Sequence, residues 1–113
     1  MKLESQRLGE TCIVTLLEER LDALCAAAFR QHLAECVDAT CKRLVLDLTH
    51  TTFVDSSGLG VLVATLRRLP GPGSLVLCGV APGVERTLRL ARLDRILVVQ
   101  TGPVAQAVPP VTR

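Results

Sequence analysis

The chain has 113 residues, 49% of them apolar but only 2% aromatic, with no Trp or Tyr. That length suits one domain with its own core, built from Leu, Val, Ala and Ile, and the lack of aromatics argues against a base-stacking surface. With 13 basic and 11 acidic residues and a net charge of +2, the balance is too mild to point to a polyanion, and no direct nucleic-acid partner is expected.

Leu3 to Leu8 reads as a strand ended by Gly9, and Cys12 to Leu17 as a stronger one rich in β-branched residues, with Gly9-Glu10 as a hairpin turn between them. Leu24 to Val37 has helical spacing, with Leu21, Leu24, Ala28, Leu33 and Val37 available for a buried face and Asp22 placed to cap it. Arg43 to Leu48 predicts a buried central strand. Residues 56 to 69 predict a second helix, with an apolar stripe at Leu59, Leu62, Val63, Leu66 and Leu69. Pro70-Gly-Pro-Gly73 ends it. Leu75 to Cys78 is a buried strand, Pro82 to about Leu90 a third helix with Pro in its first turn, and Ile96 to Val99 a last strand.

The order β-β-α-β-α-β-α-β predicts an α/β fold. Its central sheet is mostly parallel, with an antiparallel edge hairpin and helices packed against it. The expected organisation is a single domain over 1–101 and a short Pro-containing tail over 102–113. The tail has room for a turn or two of helix around Val104 to Val108 before it frays. No apolar run approaches a membrane span, so no membrane insertion is expected.

Five cysteines at 12, 25, 36, 41 and 78 form no Cys-x-x-Cys pair. Cys12, Cys25, Cys36 and Cys78 sit in apolar patterns and read as small buried residues. With no signal peptide in the sequence, this favours the reducing cytoplasm. His32 and His50 offer neither metal-ligand spacing nor a nucleophile elbow, so no metal, no cofactor and no hydrolase chemistry is expected. Arg67, Arg68, Arg86, Arg89, Arg92 and Arg95 form a loose basic band. It is usually a solvated face, although an acidic partner could use it.

The segment Phe53-Val-Asp-Ser-Ser-Gly-Leu-Gly-Val-Leu62 is where chemistry concentrates. It places hydroxyls at the start of a helix, beside unpaired N–H groups and the positive end of the dipole, where a phosphate can be added or bound. The plain reading of Ser56 is an N-cap, and the same exposed oxygen would also suit phosphorylation. Spacing alone leaves Ser57 as a second candidate, either for the phosphate or for capping and facing the core. Asp55 either orients the serine or caps the helix. Gly58 and Gly60, costly inside a helix, imply close approach to a strand or a partner.

The same segment resembles the signature of the STAS domain, the sulphate-transporter and anti-sigma-factor-antagonist family. Its likeness is nearest to the free-standing bacterial anti-sigma factor antagonists. Arg20-Leu-Asp-Ala-Leu-Cys-Ala-Ala-Ala-Phe-Arg30 is similar to that family's Leu-Asp turn into its first helix. Leu93-Asp-Arg-Ile-Leu97 is similar to its approach to the last strand. The resemblance implies a non-enzymatic, cytoplasmic switch phosphorylated on Ser56. Its partner surface would hold Asp22, Thr52, Asp55, Ser56, Ser57, Gly58 and Leu59.

The implied partners are a serine kinase that doubles as an anti-sigma factor, of the histidine-kinase-like ATPase class, and a serine phosphatase. The kinase would bring ATP and magnesium, and the chain would be a monomer or weak dimer. Two other readings stay open: an unphosphorylated accessory subunit of a membrane lipid-transporter ATPase, and a small-ligand or nucleotide sensor. The sequence departs from the family at Glu19 and Arg92, where glycines are usual. Both changes remove easy access to positive φ and predict altered loop paths.

Overall fold

The computed structural model describes residues 1–107. Leu3–Leu8 (β1) and Thr11–Leu16 (β2) form the antiparallel hairpin, turning at Gly9, whose φ of +61° suits a residue without Cβ. β2, Arg43–Asp47 (β4), Leu75–Cys78 (β6) and Val98–Val99 (β7) then run parallel, in the sheet order β1-β2-β4-β6-β7. The expected mixed sheet with one antiparallel edge is the observed one. Two further strands, Arg20–Leu21 (β3) and Phe53–Val54 (β5), pair with each other in a separate parallel ribbon that the sequence did not announce.

Strand alternation divides the core in two. Val14, Leu16, Leu44, Leu46, Leu75 and Leu77 face the helices Ala26–Cys36 (α1), Ser56–Leu66 (α2) and Pro82–Leu90 (α3). Ile13, Val45, Val76 and Cys78 face the other way, where Val104–Ala107 (α4) brings Ala107 down onto them. The Arg43 guanidinium donates to the Ala107 carbonyl at 2.9 Å, which ties the described part of the tail to β4. Val108, the last residue of the expected helix, and the fraying expected after it lie outside the described residues.

Two helix faces differ from the expected ones. α1 begins at Ala26, not Leu24, and Phe29 and Leu33 are its buried anchors. Leu24 and Ala28 are exposed, because Leu24 belongs to a turn that precedes the helix. In α2 the buried residues are Gly58, Val61, Leu62 and Thr65, so the face is rotated from the expected stripe, and Leu59, Val63 and Leu66 pack at its margin, half-buried. α2 is apolar nearly all round, so hydropathy does not single out a face. Thr65 can be buried because its hydroxyl donates to the Val61 carbonyl at 2.8 Å. The last strand is shorter than expected: a 3-10 turn at Leu93–Arg95 leads into Ile96 and Leu97, and only Val98–Val99 pairs.

The cysteines are free thiols: Cys12, Cys41 and Cys78 are buried, whereas Cys25 and Cys36 are half-buried. Burial pushes the Cys12 and Cys78 thiols up to about 11, so both stay protonated.

Arg92 does not redirect its loop. It adopts φ +61° and ψ +22°, the left-handed conformation a glycine would take there, and so keeps that path at a cost. Glu19, by contrast, holds no positive φ. Arg92→Gly should therefore raise stability by about 1 kcal/mol, a few degrees in Tm. A Tm at or below that of the unsubstituted protein would show no strain at this position.

Candidate functional site

The β3–β5 ribbon assembles the site from two distant segments. The buried Thr51 hydroxyl donates to the Glu18 carbonyl at 2.8 Å. Thr52 N–H donates to the Glu19 carbonyl at 2.8 Å, and Asp55 N–H to the Leu21 carbonyl at 3.2 Å. Arg20 pairs with Phe53 and Leu21 with Val54. One step further along each strand, Asp22 and Asp55 are brought to the same edge.

Asp55 caps α2. Its Oδ1 accepts from Ser57 N–H at 2.9 Å and Gly58 N–H at 3.1 Å, with extended backbone at the cap residue itself. Ser56 is therefore the first helical residue rather than the cap. It is exposed, and its hydroxyl is left out of the capping bonds. Ser57 is half-buried and joins the cap through its backbone. Thr52 is exposed, with its hydroxyl 3.4 Å from the Glu19 carbonyl, and Leu59 is half-buried against the core.

The two glycines of this helix have different reasons. A Cβ on Gly58 would lie 2.6 Å from the Leu21 carbonyl oxygen and 2.8 Å from its Cγ, so the missing side chain lets α2 meet β3. A Cβ on Gly60 would meet nothing within 4 Å. Gly58→Ala should cost about 2 kcal/mol, because the clash, worth up to about 3 kcal/mol, exceeds the gain in helix propensity of about 1. Chemical denaturation measures this, and a stabilised variant would show that the helix can move away from the ribbon freely.

Asp22 does not cap α1. Its carboxylate accepts from Leu24 N–H at 3.1 Å and from Arg20 Nε at 3.2 Å, which closes an Asx turn ahead of the helix. The Cys25 thiol donates to the Arg20 carbonyl at 3.3 Å and holds the same turn. The turn pushes Leu24 outward to 97% exposure. The Arg20 guanidinium lies over the exposed Phe53 ring, 4.1 Å from its centroid. Arg20, Leu24 and Phe53 are thus part of this surface, although sequence reasoning assigned them no role there. An Arg directly before the Leu-Asp turn and a Phe directly before Val-Asp-Ser were the available signals.

This edge already carries the Asp22 and Asp55 carboxylates, with Arg20 paired to Asp22. A phosphate on Ser56 would deepen an existing negative charge. Among the described residues no group of three or more His, Cys, Asp or Glu could hold a metal ion, and no hydrogen bond joins His50 to Ser56.

The model of the STAS domain matches residues 2–108. The chain belongs to the STAS domain family. An anti-sigma F factor antagonist from Paenibacillus polymyxa is 29% identical to this STAS chain over 89 residues, which cover 77% of the chain and 76% of the relative. An anti-sigma-factor antagonist (STAS) domain protein from Planctomyces limnophilus superposes with a TM-score of 0.81 at 16% identity, covering 93% of this chain and 92% of that one. The anti-sigma factor antagonist SpoIIAA in its unphosphorylated form gives a TM-score of 0.71 at 18% identity, covering 94% of each chain. At such identities the structural likeness speaks for the fold. No helix among the described residues is long and apolar enough to cross a membrane.

Proposed function

We propose that this STAS chain is a cytoplasmic anti-sigma factor antagonist whose partner surface is the Asp22–Asp55 edge and whose switch is phosphorylation of Ser56. The observation that carries the reading is the division of labour at the start of α2. Asp55 does the capping, which leaves an exposed hydroxyl at the helix N-terminus with no structural duty in the cap. The relative named an anti-sigma F factor antagonist supports the class of partner.

In this cycle the unphosphorylated chain binds a serine kinase that also sequesters another protein, and binding frees that protein. The kinase is an ATPase of the histidine-kinase-like class, and it supplies ATP and magnesium. It moves the terminal phosphoryl group to Ser56 Oγ; the serine proton leaves and ADP is released. The added charge of about −1.5 to −2 is then desolvated in the closed interface beside this chain's own Asp22 and Asp55, and the complex separates. A serine phosphatase restores the hydroxyl by hydrolysis.

The exposed Leu24 and the Arg20–Phe53 stack supply the apolar and cationic parts that a partner needs at its centre. Gly60, with open space above it, lets a partner approach the helix backbone closely. Thr52, Ser57, Gly58 and Leu59 complete the proposed surface, with Ser57 and Gly58 acting mainly through the helix geometry.

The test is incubation with the cognate kinase and ATP, followed by mass spectrometry. The phosphate is expected on Ser56 and absent from Ser56→Ala, which keeps kinase binding. Modification of Ser57 instead would move the acceptor by one residue. If no kinase modifies either serine, the unphosphorylated transporter-subunit reading replaces this one.

A further inference from the structure

α1 and α2 each precede a parallel strand, β4 and β6, so their C-terminal ends lie where those strands begin. Ser56 follows the opposite edge of the sheet. Between the two helices runs a groove of about 440 Å³. The half-buried Ala34 and Ala64 and the exposed Ala27 line it, and the exposed Arg30, Arg67 and Arg68 stand on its rim.

The three arginines are exposed, and none is paired with a carboxylate among the described residues, where the ion pairs are Arg7–Asp38, Arg20–Asp22 and Arg89–Glu85. Arg68 turns partly inward and donates to the Ala34 and Val37 carbonyls at 3.4 and 3.3 Å, at the C-terminal end of α1. That end of the helix carries no cation of its own. Arg30 and Arg67 remain to face a ligand.

We propose that this groove is a second docking surface, and that its occupant is an acidic amphipathic helix of a partner protein. Three features select that occupant. The alanines leave short side chains along two adjacent helices, so a third helix can lie close over them. Residues 27 to 34 span two turns, about 10 Å at 1.5 Å per residue, which is enough for apolar residues of the incoming helix at i, i+3 and i+7. The guanidiniums on the rim match carboxylates on its flanks.

The surface is separate from the Ser56 edge. Arg67 lies 11 residues beyond Ser56, about 16 Å along the helix. Occupancy of the groove therefore does not respond to the phosphate, and the two docking events can coexist on one molecule. This inference stands independently of the Ser56 reading.

The probe is an acetylated 18-residue amphipathic helix with Leu and Ala on one face and Glu on the other, titrated at 50 mM salt with amide NMR as readout. Saturable shifts are expected at Ala27, Arg30, Ala34, Ala64 and Arg67. The double variant Arg30→Glu/Arg67→Glu should bind at least tenfold more weakly. Ala34→Leu, which fills the groove without changing charge, should weaken binding too. Ser56→Asp should bind like the unsubstituted protein, and a variant of the peptide with Lys in place of each Glu should not bind. Undiminished binding by the double variant overturns the proposal, as do shifts centred on Ser56. It also falls if vesicles containing phosphatidylglycerol, rather than the peptide, are what bind through Arg30 and Arg67.

Discussion

Ser56→Asp is expected to weaken kinase binding by about 2–5 kcal/mol, roughly 30- to 4000-fold in Kd, while Tm stays level or rises slightly. The two halves of that result have different origins. Ser56 is the first residue of α2, so a negative charge there meets the positive end of the helix and the fold tolerates it. At the interface the same charge is desolvated beside Asp22 and Asp55, with no cation presented to it by this chain beyond Arg20, which is already paired with Asp22. Ser57→Asp should behave in the opposite way. Ser57 is half-buried and its N–H is held by Asp55, so a carboxylate there should lower Tm before it affects binding. Calorimetric titration with the cognate kinase, run beside thermal melts of both variants, separates the outcomes. Equal affinity of Ser56→Asp and the unsubstituted protein would end the phosphate-switch reading.

Leu62→Ala should destabilise the fold by about 2–5 kcal/mol in urea unfolding. Leu62 is 0% exposed, on the α2 face that looks into the sheet. Leu66, which the hydropathy stripe also favours, is half-buried, and its truncation should cost less than that of Leu62. A larger loss at position 66 than at 62 would place the helix in a different rotation from the one described.

What the sequence made legible follows from which forces are local. β6 and α3 begin and end where expected, at Leu75–Cys78 and Pro82–Leu90, because a short apolar run between breakers and a proline in the first turn are local signals. The start of α1 was misplaced because Asp22 satisfies Leu24 N–H in a turn, and a helix cap and an Asx turn use the same residue type. The rotation of α2 could not be read from an almost wholly apolar helix. It is set by the contact of Gly58 with Leu21 and by the bond from Thr65 to Val61, both visible only once the chain is folded. Arg92 shows the reverse. The departure from the glycine that the family resemblance implies there predicts a new loop path, yet the surrounding turns hold an arginine in glycine's conformation.

For the candidate site, the motif located Asp55, Ser56 and Ser57 in sequence and Asp22 by resemblance. The partition of their roles, with Asp55 as cap and Ser56 free, needed hydrogen-bond geometry. Leu24 and Phe53 were missed because an exposed apolar residue looks the same in sequence as a buried one.

The ribbon of β3 and β5 gives the proposed recognition event a particular character. Asp22 and Ser56 belong to segments that meet only through the register Arg20 to Phe53 and Leu21 to Val54. A synthetic peptide spanning residues 50–62 carries the acceptor hydroxyl but none of the Arg20–Leu24 turn. On the proposed reading the kinase would recognise a discontinuous epitope, and an excised peptide is expected to be a poor substrate. The same dependence would then act as quality control: a nascent or misfolded chain would present Ser56 without its counterpart and be passed over, so that modification would report on molecules that have completed folding.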